Sequence, residues 1–133
     1  MSKNRSPDKT APLVLVAEDE GGLRRAIADL LHRNGYSVVE ARNGEEIVEV
    51  ARRERPSLIL VDGMLPLLDG YAAARVLRRD PATRNIPFLA FQGLAGGNGR
   101  RGVRRLRPED ERRLLKKVHD VLALNEKRHA VRA

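Results

Sequence analysis

Acidic residues stand where two apolar runs stop. Leu13-Val14-Leu15-Val16-Ala17 is followed by Glu18, Asp19 and Glu20, and Leu58-Ile59-Leu60-Val61 is followed by Asp62. Short runs that are apolar at every position read as strands buried on both faces of a parallel sheet. Each charge then sits at a strand's carboxyl end, where open α/β sheets place their ligands. If the two strands are neighbours, their ends lie about 5 Å apart, and Glu18, Asp19 and Asp62 share one crevice. Three carboxylates there repel one another unless a cation or protons offset the charge. A hard divalent ion with oxygen ligands, Mg²⁺ above all, suits such a site. One carboxylate would then be placed to attack a phosphoryl group and carry it covalently, with the metal neutralising the incoming oxygens. The plainer reading makes Asp62-Gly63 the start of a turn and Glu18-Asp19 a solvated loop.

The elements that must position these groups follow in regular order. Residues 1–12 lack periodicity and read as a disordered leader. Leu13–Ala17 is the first strand. Gly21 and Gly22 open a helix whose inward residues are Leu23, Ala26, Ile27, Leu30 and Leu31, stopped at Asn34-Gly35. Tyr36–Ala41 is a second strand. Asn43-Gly44-Glu45-Glu46 resembles a capping box ahead of a helix with Ile47, Val50 and Ala51 inward. Leu58–Asp62 is the third strand, Tyr71–Arg79 a third helix with Ala74, Val76 and Leu77 among its apolar positions, and Ile86–Phe91 a fourth strand. Gln92–Gly102 holds five glycines in eleven residues and reads as a loop. Val103–Arg107 is an expected fifth, edge strand, although three of its five residues are Arg. Pro108-Glu109-Asp110-Glu111 starts the last helix, with Leu114, Leu115, Val118, Val121 and Leu122 inward. Residues 125–133 read as a basic tail, frayed from Glu126. Such alternation implies a parallel sheet with helices on both faces. In the doubly wound order 2-1-3-4-5 the first and third strands meet at the switch point.

The bulk numbers narrow the possibilities. A chain of 133 residues, 41% apolar, is one domain with one core, and with aromatics at 3% and no Trp that core is aliphatic. The absence of cysteine excludes disulfides, thiolate catalysis and Cys-based zinc sites. No apolar run approaches a membrane span, so a soluble, cytoplasmic protein is expected. The net charge of +8 is concentrated: residues 1–98 carry 14 Lys and Arg against 13 acids, and residues 99–133 carry 12 against 5. Such asymmetry suggests a basic face for an acidic partner, a nucleic acid or a membrane surface.

At Leu-Val-Leu-Val-Ala-Glu-Asp-Glu (13–20), Asn-Gly-Glu-Glu (43–46) and Leu-Ile-Leu-Val-Asp-Gly-Met-Leu-Pro-Leu-Leu-Asp-Gly (58–70) the chain resembles the receiver domain of bacterial two-component response regulators. The resemblance spans Leu13 to Leu124 and is similar in kind to the chemotaxis regulators. It implies a flavodoxin-like α/β fold with a five-stranded parallel sheet, and a receiver domain over 13–124. It also implies that Asp62 is the phosphoacceptor, that Asp19 binds Mg²⁺ directly, that Glu18 does so through water, and that the Met64 backbone carbonyl is a further ligand. The phosphoryl group would come from a sensor histidine kinase, a phosphotransfer protein or a small phosphodonor. The chain would then be a regulatory domain with no enzymatic role beyond its own phosphotransfer and autodephosphorylation.

The last third departs from that family. Where a Thr or Ser usually ends the fourth strand, Phe91 is followed by Gln92, whose longer amide is still a donor for phosphoryl oxygens. The family's Lys-Pro pair is matched by Arg107-Pro108, and Arg is a planar fork rather than a point ammonium. No aromatic residue follows Phe91, so the switch aromatic of the fifth strand is missing. The segment from Gln92 to Arg107 is short by about two helical turns, which leaves the family's fourth helix shortened or replaced by the Gly-rich loop.

Three readings compete. The first is a phosphorylatable receiver that signals through a rewritten basic face, residues 100–117, to an acidic protein partner. The second is a pseudo-receiver that binds partners without phosphorylation. The third is a nucleic-acid-binding protein using Arg100, Arg101, Arg104, Arg105, Arg112, Arg113, Lys116 and Lys117, although stacking aromatics and recognised binding motifs are missing. Gly93–Arg100 lacks the Gly-Lys-Ser/Thr ending of a P-loop. Asp62-Gly63-Met64 lacks the second Asp of an aspartate-nucleophile phosphatase. His32, His119 and His129 are scattered and read as surface residues.

Overall fold

The computed structural model describes residues 11–62, 67–91 and 106–132, with the side chains of 62, 67–69 and 128–132 outside that description. The elements alternate: β1 (Leu13–Ala17), α1 (Gly21–Arg33), β2 (Ser37–Ala41), α2 (Gly44–Glu54), β3 (Leu58–Asp62), α3 (Leu67–Arg78), β4 (Phe88–Phe91) and α4 (Pro108–Arg132). The four described strands are all parallel, in the order β2-β1-β3-β4. The core of the expected doubly wound topology is therefore present. Most of the expected fifth strand, and the Gly-rich segment before it, fall outside the described residues; Leu106 and Arg107, which are described, are not strand.

The apolar runs are explained by burial on two sides. Val14, Val16, Leu58 and Leu60 pack with Ile27, Leu30 and Leu31 of α1 and Leu114, Val118 and Leu122 of α4. Leu15, Ala17 and Ile59 point the other way, against Ile47, Val50 and Ala51 of α2 and Ala73 and Leu77 of α3. Successive strand residues face opposite sides, so β1 and the Leu58–Val61 part of β3 must be apolar at every position.

Local chemistry sets the element ends, and several differ from expectation. Tyr36 does not join β2, because its N–H donates to Leu31 O at 3.1 Å while Gly35 N–H donates to His32 O at 3.2 Å. This is a Schellman closure of α1, with Gly35 at φ 92° where a side chain would be strained. Pro12 was expected in a disordered leader, yet its carbonyl accepts Ser37 N–H at 2.9 Å. β4 starts at Phe88 rather than Ile86; Pro87 has no N–H, though its carbonyl accepts Ile59 N–H at 2.9 Å. α3 begins at Leu67, ahead of the expected Tyr71, and of the apolar positions named in it Leu77 is buried, together with Ala73. α4 runs to Arg132, past Glu126, from which a frayed tail was expected.

At the start of α2, Asn43 Oδ1 accepts Glu46 N–H at 2.9 Å, as a cap should. The return half of the capping box slips by one residue: Glu46 Oε1 accepts the Arg42 N–H at 2.8 Å, and the Arg42 guanidinium closes on the same carboxylate. That hydrogen-bonded guanidinium holds the Glu46 carboxyl below the usual carboxylate range.

Candidate functional site

β1 and β3 are neighbours, with Ala17 opposite Val61. One further step in that register sets the Glu18 backbone beside that of Asp62, the last residue of β3. Asp62 in turn pairs with Phe91, the last residue of β4. The strands on either side of the switch point thus deliver Glu18, Asp19 and Asp62 to one rim of the sheet, about 5 Å apart by strand spacing.

The two described acids at this rim differ sharply. Glu18 is 1% exposed. Its N–H donates to Ala41 O at 3.1 Å, extending the β1–β2 ladder, and its Oε2 accepts the Glu20 N–H at 2.9 Å. Asp19 is exposed at the rim. Glu20 turns away to cap α1, its Oε1 accepting the Leu23 N–H at 2.8 Å.

A buried carboxylate beside an exposed one, on a strand adjoining a third acid, is a set of hard oxygen donors suited to Mg²⁺. Among the described residues no three His, Asp or Glu side chains gather into a metal cluster; the third member here, Asp62, has its side chain outside the description. Met64 and Gln92 lie outside the described residues as well.

Arg107 is described, and its fork is engaged. Nε and Nη2 donate to Asp110 Oδ2 and Oδ1 at 2.7 and 3.0 Å. Asp110 is wholly buried and also accepts from Arg113 Nη2 at 3.3 Å. The hydrogen bond to Asp110 keeps the Arg107 guanidinium firmly protonated. Arg107 thus stands at the start of α4, its carbonyl accepting Glu111 N–H at 3.0 Å. On the same helix Arg112, Arg113, Lys116 and Lys117 are exposed, while Arg100, Arg101, Arg104 and Arg105 lie outside the described residues. His32 and His119 are exposed, as expected of surface residues; the His129 side chain lies outside the description.

A residue not singled out in the sequence also belongs to the rim. Arg24 of α1 donates from Nη1 to the Glu18 carbonyl at 2.8 Å and from Nε to Glu40 Oε1 at 2.9 Å. The available signal was its position: a cation in the first turns of a helix opposes the helix dipole.

Comparison with known proteins decides the family. The response regulator receiver domain profile matches residues 14–95. The chain belongs to the response regulator receiver family. Among curated relatives, the probable transcriptional regulator ycf27 of Pyropia yezoensis is 45% identical over 81 residues, covering 61% of this chain and 32% of that protein. Protein PilH of Pseudomonas aeruginosa is 32% identical over 117 residues, covering 83% of this chain and 97% of PilH. The chain spans about a third of the length of the ycf27 regulators it matches. Among solved structures, the receiver domain of a Pseudomonas aeruginosa sensor histidine kinase, which has a magnesium ion coordinated in its active site cleft, superposes with a TM-score of 0.67. It is 26% identical, over 86% of this chain and 99% of that one. Chemotaxis response regulator CheY4 of Vibrio cholerae superposes with a TM-score of 0.67 at 23% identity, over 84% of this chain and 99% of that one, a likeness of fold. This receiver domain is thus a regulatory module of two-component signalling. Among the described residues no helix is long and apolar enough to cross a membrane.

Proposed function

We propose that this receiver domain accepts a phosphoryl group on Asp62, with Mg²⁺ held by Glu18, Asp19, Asp62 and the Met64 carbonyl. The observation that carries the proposal is the β1–β3 register, which brings the Glu18 and Asp62 backbones level at one sheet rim, with Asp19 one residue on. An Asp62 oxygen forms a bond to phosphorus while the bond from phosphorus to the donor breaks, and the donor leaves with its electron pair. When bound, Mg²⁺ supplies positive charge that offsets the phosphoryl oxygens. Buried Glu18 orients the rim, and exposed Asp19 faces the incoming group. Gln92 is the proposed amide donor to the phosphoryl oxygens. Arg107 joins it through the donors that Asp110 leaves available.

The phosphoryl source is a sensor histidine kinase or a phosphotransfer protein, and the domain acts in the cytoplasm. The readout is an acidic protein docking on the basic face at residues 100–117, of which Arg112, Arg113, Lys116 and Lys117 are exposed on α4. The test is incubation with a small phosphodonor and Mg²⁺, followed by intact-mass measurement. The wild type gains one phosphoryl mass, Asp62→Asn gains none, and Asp19→Ala loses the Mg²⁺ dependence along with most of the gain. An unmodified wild type would sink the proposal. It would instead support the second reading, a partner-binding receiver that works without phosphorylation, which the engagement of Arg107 by Asp110 favours.

A further inference from the structure

We infer that Arg24 is a positioning residue for the metal rim: it fixes the Glu18–Asp19 peptide so that both carboxylates are held ready for the cation. The inference deepens the Mg²⁺ reading of the same site and rests on it. Its basis is the pair of bonds that Arg24 makes with one fork. Nη1 donates to the Glu18 carbonyl at 2.8 Å, and Nε donates to Glu40 at 2.9 Å. Glu40 lies in β2, so the fork clamps the end of β1 to the neighbouring strand from above. The Arg24 and Glu40 side chains are only 17% and 15% exposed.

The carbonyl that Arg24 holds belongs to the peptide joining the buried acid to the exposed one. Its orientation sets the direction in which Asp19 leaves the strand. Two more bonds complete the frame: Glu20 N–H to Glu18 Oε2 at 2.9 Å, and Arg24 N–H to Glu20 O at 2.9 Å. Arg24 therefore ties the rim at both its main chain and its side chain. The guanidinium lies over Gly21, where a Cβ would meet Nη2 at 3.6 Å, an ordinary contact. A cation so near the N-terminus of a helix is electrostatically disfavoured, and the two bonds to Glu18 and Glu40 account for its presence. Partners of this kind, one bond removed from a metal's own ligands, change metal affinity about 10- to 100-fold when removed.

Charge must be separated from position, because removing a cation beside a cation site would by itself tighten Mg²⁺. Glu40 allows this: the double variant Arg24→Met/Glu40→Gln removes one charge of each sign. It also removes both members of the half-buried pair together, and Arg25, whose Nε lies 3.9 Å from Glu40, is itself exposed, which protects the fold. Arg24→Lys keeps the charge but has no planar fork to reach both acceptors.

The experiment measures Mg²⁺ affinity, thermal midpoint and, without metal, amide exchange at Asp19 and Glu20, for wild type, the double variant and Arg24→Lys. Binding weaker by about tenfold in both variants, with faster Glu20 exchange and a thermal midpoint near wild type, supports the assignment. Wild-type affinity in the double variant overturns it, as does weakened binding that only tracks a fallen midpoint. A wild type that binds no Mg²⁺, seen in the first arm, overturns the metal reading itself and the inference with it. Faster Glu20 exchange in that case leaves Arg24 a purely structural clamp.

Discussion

Truncating Leu60 or Ile59 to Ala tests the claim that β3 is buried on both faces, the arrangement that brings Asp62 to the rim. Both side chains are fully buried. Leu60 packs with the α1 and α4 residues, and Ile59 with those of α2 and α3. Each change removes about three carbon groups at ~0.8 kcal/mol apiece, or roughly 2.4 kcal/mol of transfer free energy. The cavity left in a packed interior raises the cost to about 3–5 kcal/mol. A domain of this kind has about 5–15 kcal/mol in total, so each variant should still fold. With a urea m-value of about 1–3 kcal/mol/M, the midpoint should fall by roughly 1–5 M, read by far-ultraviolet circular dichroism. Ala90, exposed on β4, is the control: Ala90→Ser should stay within about 0.5 kcal/mol. A cost below about 1 kcal/mol at either Leu60 or Ile59 would show that one face of β3 is not packed and would refute the two-sided sheet.

Three further outcomes follow from single features. Arg55 ends α2 in the left-handed region at φ 49°, so Arg55→Gly should raise stability by about 1 kcal/mol; a lower urea midpoint would mean its side chain outweighs the backbone strain. Because the folded Glu46 carboxyl is held below its ordinary value by Arg42, its contribution is full above about pH 4.3, the unfolded value, and is lost as pH falls through the folded one. The stability gap between wild type and Glu46→Gln should therefore shrink below pH 4 and be flat above about pH 5. Arg107→Ala and Asp110→Ala should each lower the urea midpoint, and the double variant by less than the two shifts added; simple additivity would show that the fork contributes no coupling.

The sheet was legible because a parallel strand buried on both sides cannot alternate with polar residues. Leu13–Ala17 and Leu58–Val61 carry that constraint openly. The inward faces of α1, α2 and α4 were equally plain, since Ile27, Leu30, Leu31, Ile47, Val50, Ala51, Leu114, Val118 and Leu122 recur at helical spacing and are buried. Boundaries were less legible because main-chain partners decide them. Tyr36 looks like a strand residue, but its N–H serves the end of α1. The third helix was expected from Tyr71, yet α3 begins at Leu67 and holds Gly70 inside it. The basic residues of 100–117 read as one face of like charges, whereas Arg107 and Arg113 converge on a buried Asp110 at spacings of three residues.

The acid rim shows most clearly what composition leaves out. Glu18, Asp19 and Glu20 are consecutive and chemically alike, and residue type alone does not separate them. Backbone direction separates them. Glu18 is still in register with β2, so its side chain is carried inward and its carboxylate is fixed by the Glu20 N–H. Asp19 is the first residue beyond the ladder and is exposed. Glu20 already has the extended conformation of a helix cap, φ −83° and ψ 114°, and turns its carboxylate onto the Leu23 N–H. Glu is not among the preferred capping residues, so nothing in the residue type announced that role. The consequence for the site is specific. Glu20 is committed to α1, leaving Glu18 and Asp19 as the β1 contribution to the rim, and the cap that fixes Glu20 also starts the helix that brings Arg24 over them.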